Sequence, residues 1–231
     1  MDAVSFDLDG TLVRSAESRE RSIDHARQVV DPALPRVPVD AYQTAFRDAL
    51  RERLPNTARE MPVRRAAFER AFAERGRVPP APTLSAFARA YRRRRLERLE
   101  QRAGAVEILS SVRESGGVTL IVTNGPAGLQ REKLERTGLA KHVDAMAVAG
   151  RCGAAKPDPR PFEVALDRID ASADGTIHVG DAQEDVTGAR RAGLDPVLLD
   201  PDGSRPDGSG PETTLTPRYR SLAAVSRRVL D

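Results

Sequence analysis

The sequence predicts an α/β protein: a doubly wound parallel sheet with helices on both faces and an all-helical segment inserted after its first strand. Three observations carry this. From about residue 104 onward, short apolar runs such as "VTLIVT" (118–123) and "PVLL" (196–199) alternate with helical patterns. Strands covered on both faces of a parallel sheet have this composition. Residues 15–100 show helical periodicity only, and the apolar strand that precedes them ends in "DLDGT".

The helical stretch divides into four pieces. The first lies around Glu17 to Val30 and stops before "DPALPRVP". The second carries Tyr42, Ala45, Phe46, Ala49 and Leu50 at i, i+3, i+4, i+7 and i+8, with Asp40 as its expected N-cap. A third carries Phe68, Ala71 and Phe72 and stops at Gly76, and a fourth starts near Thr83 with Leu84, Phe87, Ala88 and Tyr91 on one face. Beyond them, "AVEILSSVRES" reads as a helix, 118–123 as a strand, 129–137 as a helix and 145–149 as a strand. Helices at 161–170 and 186–192 then alternate with strands at 176–180 and 196–199. A polar Gly/Pro loop, "DPDGSRPDGSGPETT", precedes a closing helix, "SLAAVSRRVL".

Composition narrows the class. The chain has 231 residues, 39% hydrophobic and 31% charged, with a formal net charge of +3. That suits one large domain, or a core with an insertion. No stretch approaches the roughly 20 apolar residues of a membrane span, and no secretory leader pattern opens the sequence. Cys152 is the only cysteine, so an internal disulfide is excluded and a cytoplasmic location is expected. Lysine occurs only at 133, 141 and 156, against a large excess of arginine along the whole chain. A retained lysine in such a sequence invites a reason.

In sheets of this type the ligand lies beyond the C-terminal ends of the strands. Four such ends carry reactive residues. They are Asp7 and Asp9; Thr123 and Asn124; Lys156 in "GAAKPDP"; and Asp181, Glu184 and Asp185 in "GDAQED". Asp7 and Asp9, two apart, are expected to face one side, and with Asp181 they crowd three carboxylates together. Such a group needs a cation, and oxygen-only donors favour Mg²⁺. Lys156, Thr123 and the backbone N–H groups near Gly10 suit a phosphoryl group. An aspartate can attack phosphorus, and a second carboxyl nearby can move the proton that the leaving group and water require.

"FDLDGTLV", "IVTNG", "KPDP" and "GDAQEDVTGARRAG" resemble the four motifs of the haloacid dehalogenase-like hydrolase superfamily, in its capped, phosphoglycolate phosphatase-like branch. The resemblance covers residues 1–14 and 104–200. It implies a Rossmann-like core domain made of 1–14 and 104–231, and a helical cap domain at 15–103. It further implies Asp7 as nucleophile, Asp9 as general acid/base, Thr123 and Lys156 (with Asn124 beside them) at the phosphate, and Mg²⁺ held by Asp7, Asp9 and Asp181. One residue fewer than usual separates Asp181 from Asp185, so the supporting acidic role falls to either Glu184 or Asp185.

The resemblance does not choose the reaction. Dehalogenases of this superfamily lack the second aspartate, which is present here as Asp9. Its phosphonatases use a cap lysine, and no lysine precedes 133. The expectation is a Mg²⁺-dependent hydrolase of a small phosphorylated metabolite, of open oligomeric state, with no membrane or nucleic-acid partner. A sugar phosphomutase is one alternative. A non-catalytic scaffold with an Arg-rich partner-binding cap, built on "YRRRRLERLEQR" (91–102), is another. That run reads as a solvated helix face, interleaved with Glu97 and Glu100. An intermediate possibility is that one or two of its arginines, or Arg47, face the cleft and select an anionic substrate tail. His25, His142, His178 and Cys152 read as core or surface residues.

Overall fold

The computed structural model describes residues 3–54, 59–203 and 216–230. Its main sheet has six strands in the order β5-β4-β1-β6-β7-β8, every adjacent pair parallel. These are β1 (Ala3–Phe6), β4 (Val118–Thr123), β5 (Ala145–Val148), β6 (Ile177–Gly180), β7 (Asp195–Leu199) and β8 (Arg218–Tyr219). The chain runs outward from β1 through β4 to β5 and returns to β6 on the other side. β1 therefore stands where the strand order reverses, the position at which such sheets hold ligands.

Both faces of the sheet are buried, as the continuous apolar runs predict. On one face Val4, Phe6, Ile121, Val179 and Val197 pack under α5 (Ala105–Glu114) and the closing helix α10 (Leu222–Leu230). On the other, Ala3, Leu120, Val122 and Ala147 pack against α8 (Arg160–Asp167) and α9 (Gln183–Arg191) through Phe162, Leu166 and Ala189. Alternate residues of each strand thus serve opposite layers. Helix α6 (Ala127–Arg136) follows β4, and the short α7 (Ala149–Cys152) follows β5.

The inserted segment is a layer of four helices: α1 (Arg19–Val30), α2 (Val39–Arg51), α3 (Glu60–Ala73) and α4 (Ala81–Glu97). It has its own core, in which Tyr42, Phe68, Phe72, Phe87 and Tyr91 meet ring to ring. Ser18 caps α1, its hydroxyl accepting from the Arg21 amide at 3.2 Å. Asp40 is not the cap of α2: Pro38 occupies that position and Asp40 lies in the first turn, where a carboxylate still complements the helix dipole.

Two short strands were not legible as such. β2 (Val13–Ser15) and β3 (Leu99–Gln101) pair antiparallel where the chain leaves and re-enters the sheet domain. The boundary expected at 14/15 falls inside β2. β8 was also missed, and most of the polar loop before it, 204–215, lies outside the described residues. No helix among the described residues is long and apolar enough to cross a membrane.

Candidate active site

The Asp7 amide donates to the Val179 carbonyl at 2.8 Å, which carries the pairing of β1 one residue beyond its end. That fixes the Asp7 carboxylate over the C-terminal edge of the sheet, where it is only 6% exposed. Lys156 meets it there. Its ammonium, 1% exposed, donates to Asp7 Oδ1 at 2.7 Å, Asp185 Oδ1 at 2.5 Å and the Val122 carbonyl at 2.8 Å. All three N–H donors are used. Burial works against the charge of Lys156, but Asp185 and Asp7 outweigh it and hold the ammonium far above its ordinary range.

Asn124 does not point at this charge cluster as a free donor. Its Oδ1 accepts from the Lys156 amide at 2.9 Å and its Nδ2 donates to the Lys156 carbonyl at 3.1 Å, a two-point clamp on the lysine's backbone. Nδ2 also reaches Glu184 at 3.3 Å. Asn124, expected at the phosphate, is occupied in positioning Lys156. Thr123 is buried, and its hydroxyl oxygen accepts from Gln130 Nε2 at 2.6 Å.

Asp9 turns to other partners. Lys133 Nζ approaches its Oδ2 at 2.5 Å and Gln130 Nε2 at 3.0 Å. The Asp9 side chain is 41% exposed, and against a partial desolvation Lys133 and then Gln130 pull the carboxyl below its usual range. The carboxylates that gather are therefore Asp7, Asp181 and Asp185, with oxygens all within 4.8 Å of one another. Asp185 takes the place expected of Asp9. Of Glu184 and Asp185, Asp185 is the one that lies in this cluster. Asp185 sits at the third residue of α9, accepts from the Ala182 amide at 2.9 Å and is buried, whereas Glu184 is half-exposed.

The donor set fits a hard divalent cation. Burial, together with the Asp185 and Asp181 charges, pushes the Asp7 carboxyl well above its ordinary range despite Lys156. Asp185, also opposed by burial, is held low by Lys156 and His178. Lys156 pairs with Asp7 and Asp185, and Asp181 brings a third carboxylate to the same cluster, a set of oxygen donors suited to such an ion. Two glycines make room for it. A Cβ on Gly10, whose φ is +97°, would collide with the Asp181 carboxylate, and one on Gly180 with the Asp185 side chain.

Three residues of this site escaped the sequence reading. Lys133 carried a signal, being one of only three lysines. The contacts of His178 did not: it is buried in β6, with Ser5 Oγ at 2.8 Å from Nδ1 and Asp185 Oδ1 at 3.4 Å from Nε2, and burial lowers its pKa although Asp185 acts the other way. Arg102 donates to the Gly10 carbonyl at 2.6 Å and ties β3 to the loop after β1.

Between this edge and the helical layer lies a cleft of about 580 Å³, lined by Asp7, Asp9, Lys133, Tyr42, Arg47 and Arg95 among others. The arginine run is not a solvated face throughout. Arg92 bridges Glu60, at 2.7 Å, and Glu132 of α6, and Arg94 pairs with Glu17 at 2.5 Å.

Sheet order, acidic triad and buried lysine together define a doubly wound α/β protein with a charged cluster at its strand ends. Residues 1–193 match the family model described as haloacid dehalogenase-like hydrolase, and the chain belongs to that family. It is 39% identical over 161 residues to the phosphoserine phosphatase of Thermus thermophilus, a match covering 68% of this chain and 54%, about half, of that relative's length. It is 29% identical over 200 residues to the phosphoglycolate phosphatase of Caulobacter vibrioides, covering 85% and 78% of the two chains. Among solved structures, the L-2-haloacid dehalogenase of Xanthobacter autotrophicus superposes with a TM-score of 0.73 at 17% identity, over 99% of this chain and 98% of that one. That last likeness concerns the fold alone.

Proposed function

We propose that the protein is a Mg²⁺-dependent phosphomonoester hydrolase that acts on a small phosphorylated metabolite through an aspartyl-phosphate intermediate. The observation that carries this is the buried Asp7 carboxylate, 2.7 Å from Lys156 and gathered with Asp181 and Asp185 at the sheet edge. The phosphatase names of the Thermus and Caulobacter relatives support the same reading. The second aspartate, Asp9, is the feature that separates it from dehalogenation, which needs no proton donor.

Asp7 attacks phosphorus, forming the acyl phosphate and releasing the alcohol. Lys156, with Thr123 nearby, balances charge on the phosphoryl oxygens. Asp7, Asp181 and Asp185 would hold Mg²⁺, which supplies Lewis-acid polarisation of those oxygens. Asp9 gives a proton to the departing alkoxide and later takes one from the water that cleaves the acyl phosphate. Its depressed pKa suits the second of these duties. The first requires a raised pKa, and a phosphoryl dianion beside the carboxyl acts in that direction. Residues 15–103 act as a cap that closes the cleft and limits water. With Cys152 as the lone cysteine, we place the protein in the cytoplasm.

Hydrolysis of p-nitrophenyl phosphate with and without EDTA tests the reading. Turnover that EDTA abolishes and Mg²⁺ restores is expected. No turnover at all, or full activity in EDTA, contradicts it.

A further inference from the structure

We propose that the helical wall of the cleft carries a second anion subsite, centred on Arg95 with Arg19 and Arg47 beside it, for a carboxylate or second phosphate on the alcohol part of the substrate. This rests on the phosphatase reading and narrows its substrate class.

The run Arg92–Arg95 contains its own comparison. Arg92 is paired with Glu60 and Glu132, Arg93 with Glu97 at 3.7 Å and Arg94 with Glu17 at 2.5 Å. Arg95 alone of the four has no carboxylate within ion-pair distance among the described residues. Its Nη1 donates to the backbone carbonyl of Glu17 at 2.7 Å, which anchors the side chain without neutralising it. Arg95, on α4, is also half-buried and lines the same cleft as Asp7. Burial and the neighbouring Arg19 and Arg64 charges lower its pKa, with Tyr91 and Asp9 acting the other way.

The nearby anions are already committed. Asp9 is held by Lys133 at 2.5 Å. Glu60 is taken by Arg64 and Arg92, and Arg64 further donates to the Tyr42 hydroxyl at 2.5 Å. Arg19 and Arg47 line the same cleft, and among the described residues the hydrogen-bond partner of the Arg47 side chain is the Thr44 hydroxyl at 3.3 Å. The cleft is therefore polarised. Its floor holds Asp7, Asp181 and Asp185, which with a cation take the phosphoryl group, and its wall holds a guanidinium that lacks an anion. A planar guanidinium matches carboxylate and phosphate oxygens in two-point geometry. A substrate with an anion at each end satisfies both walls, while a neutral alcohol leaves Arg95 partly desolvated and uncompensated.

The test compares kcat/KM within two pairs of esters that differ in the second anion. One pair is 2-phosphoglycolate against 2-hydroxyethyl phosphate, and the other is glucose 1,6-bisphosphate against glucose 1-phosphate. The pairs separate a carboxylate tail from a phosphate tail. A charge-assisted contact predicts a preference of at least about 10-fold for the anionic member of one pair. In Arg95→Gln the ratio should fall close to one, and Arg95→Lys should recover part of it; a general loss cancels in the ratio. A ratio near one in the unaltered protein, with both esters hydrolysed, overturns the inference and leaves the phosphatase reading standing. A preference that survives Arg95→Gln overturns the assignment to Arg95. Absence of hydrolysis of every ester overturns the phosphatase reading itself.

Discussion

Replacing Lys156 with methionine removes the one ammonium shared by two buried carboxylates while keeping an unbranched side chain one atom shorter. The side chains of Lys156, Asp7 and Asp185 are 1%, 9% and 3% exposed, so water cannot take over the lost contacts. Removing one partner of a buried ion pair costs about 3–5 kcal/mol. Here two carboxylates lose their partner, which places Lys156→Met toward the upper end. For a chain of this size each kcal/mol lowers Tm by ~2–4 °C, so a loss of about 5 kcal/mol means a fall of roughly 10–20 °C. The assay is urea unfolding in EDTA, repeated across pH. In the variant, Asp7 and Asp185 would both have folded-state pKa values above their unfolded ones. Such groups destabilise at pH above the folded pKa and cease to do so once protonated, so the deficit against the unaltered protein narrows as pH falls from 7 toward about 4. Mg²⁺ should recover part of the lost stability by replacing the missing charge. A loss under about 1 kcal/mol, or a deficit that widens on acidification, refutes the reasoning, since such a value belongs to an exposed pair.

Two further outcomes are expected. Asp9→Asn should slow hydrolysis of an alkyl phosphate far more than that of p-nitrophenyl phosphate, whose leaving group departs with little protonation; equal losses on both would mean that Asp9 only shapes the site. Gly10→Ala puts a Cβ against the Asp181 carboxylate at a φ of +97°, so it should weaken Mg²⁺ binding, read by calorimetry, and cost about 1–3 kcal/mol of stability; unchanged binding would show that Asp181 is free to move.

The sheet was legible because its strands are buried on both faces and so read as uninterrupted apolar runs, with 118–123 matched to the residue. The helical layer was legible from its aromatic periodicity. β2, β3 and β8 were not, because Val13–Ser15, Leu99–Gln101 and Arg218–Tyr219 are two or three residues long and mix charged with apolar side chains. Nothing local distinguishes such pieces from helix ends; only pairing across the fold defines them. Residue type and strand-end position pointed to Asp7, Lys156 and Asp181, which the structure brings together at the sheet edge, but orientation was not legible. Asp9 was expected beside Asp7 on alternation, yet β1 ends at Phe6, so the strand rule no longer governs Asp9, and Lys133 draws its carboxylate aside. Asn124 was expected at the phosphate, and its clamp on the Lys156 backbone was not legible, because that contact depends on distant chain geometry. His178 was read as a core or surface residue and is buried in β6, but its contact with Asp185 left no trace in the sequence.

The most direct test of the central claim is to look for the covalent intermediate on Asp7. The protein is mixed with Mg²⁺ and a phosphate ester, quenched in acid within the first turnover, and digested for mass spectrometry. A phosphoryl group on the peptide containing Asp7, removed by hydroxylamine and absent from Asp7→Asn, is the predicted result. Steady hydrolysis of the ester by Asp7→Asn, with no phosphorylated peptide from the unaltered protein, would contradict the account.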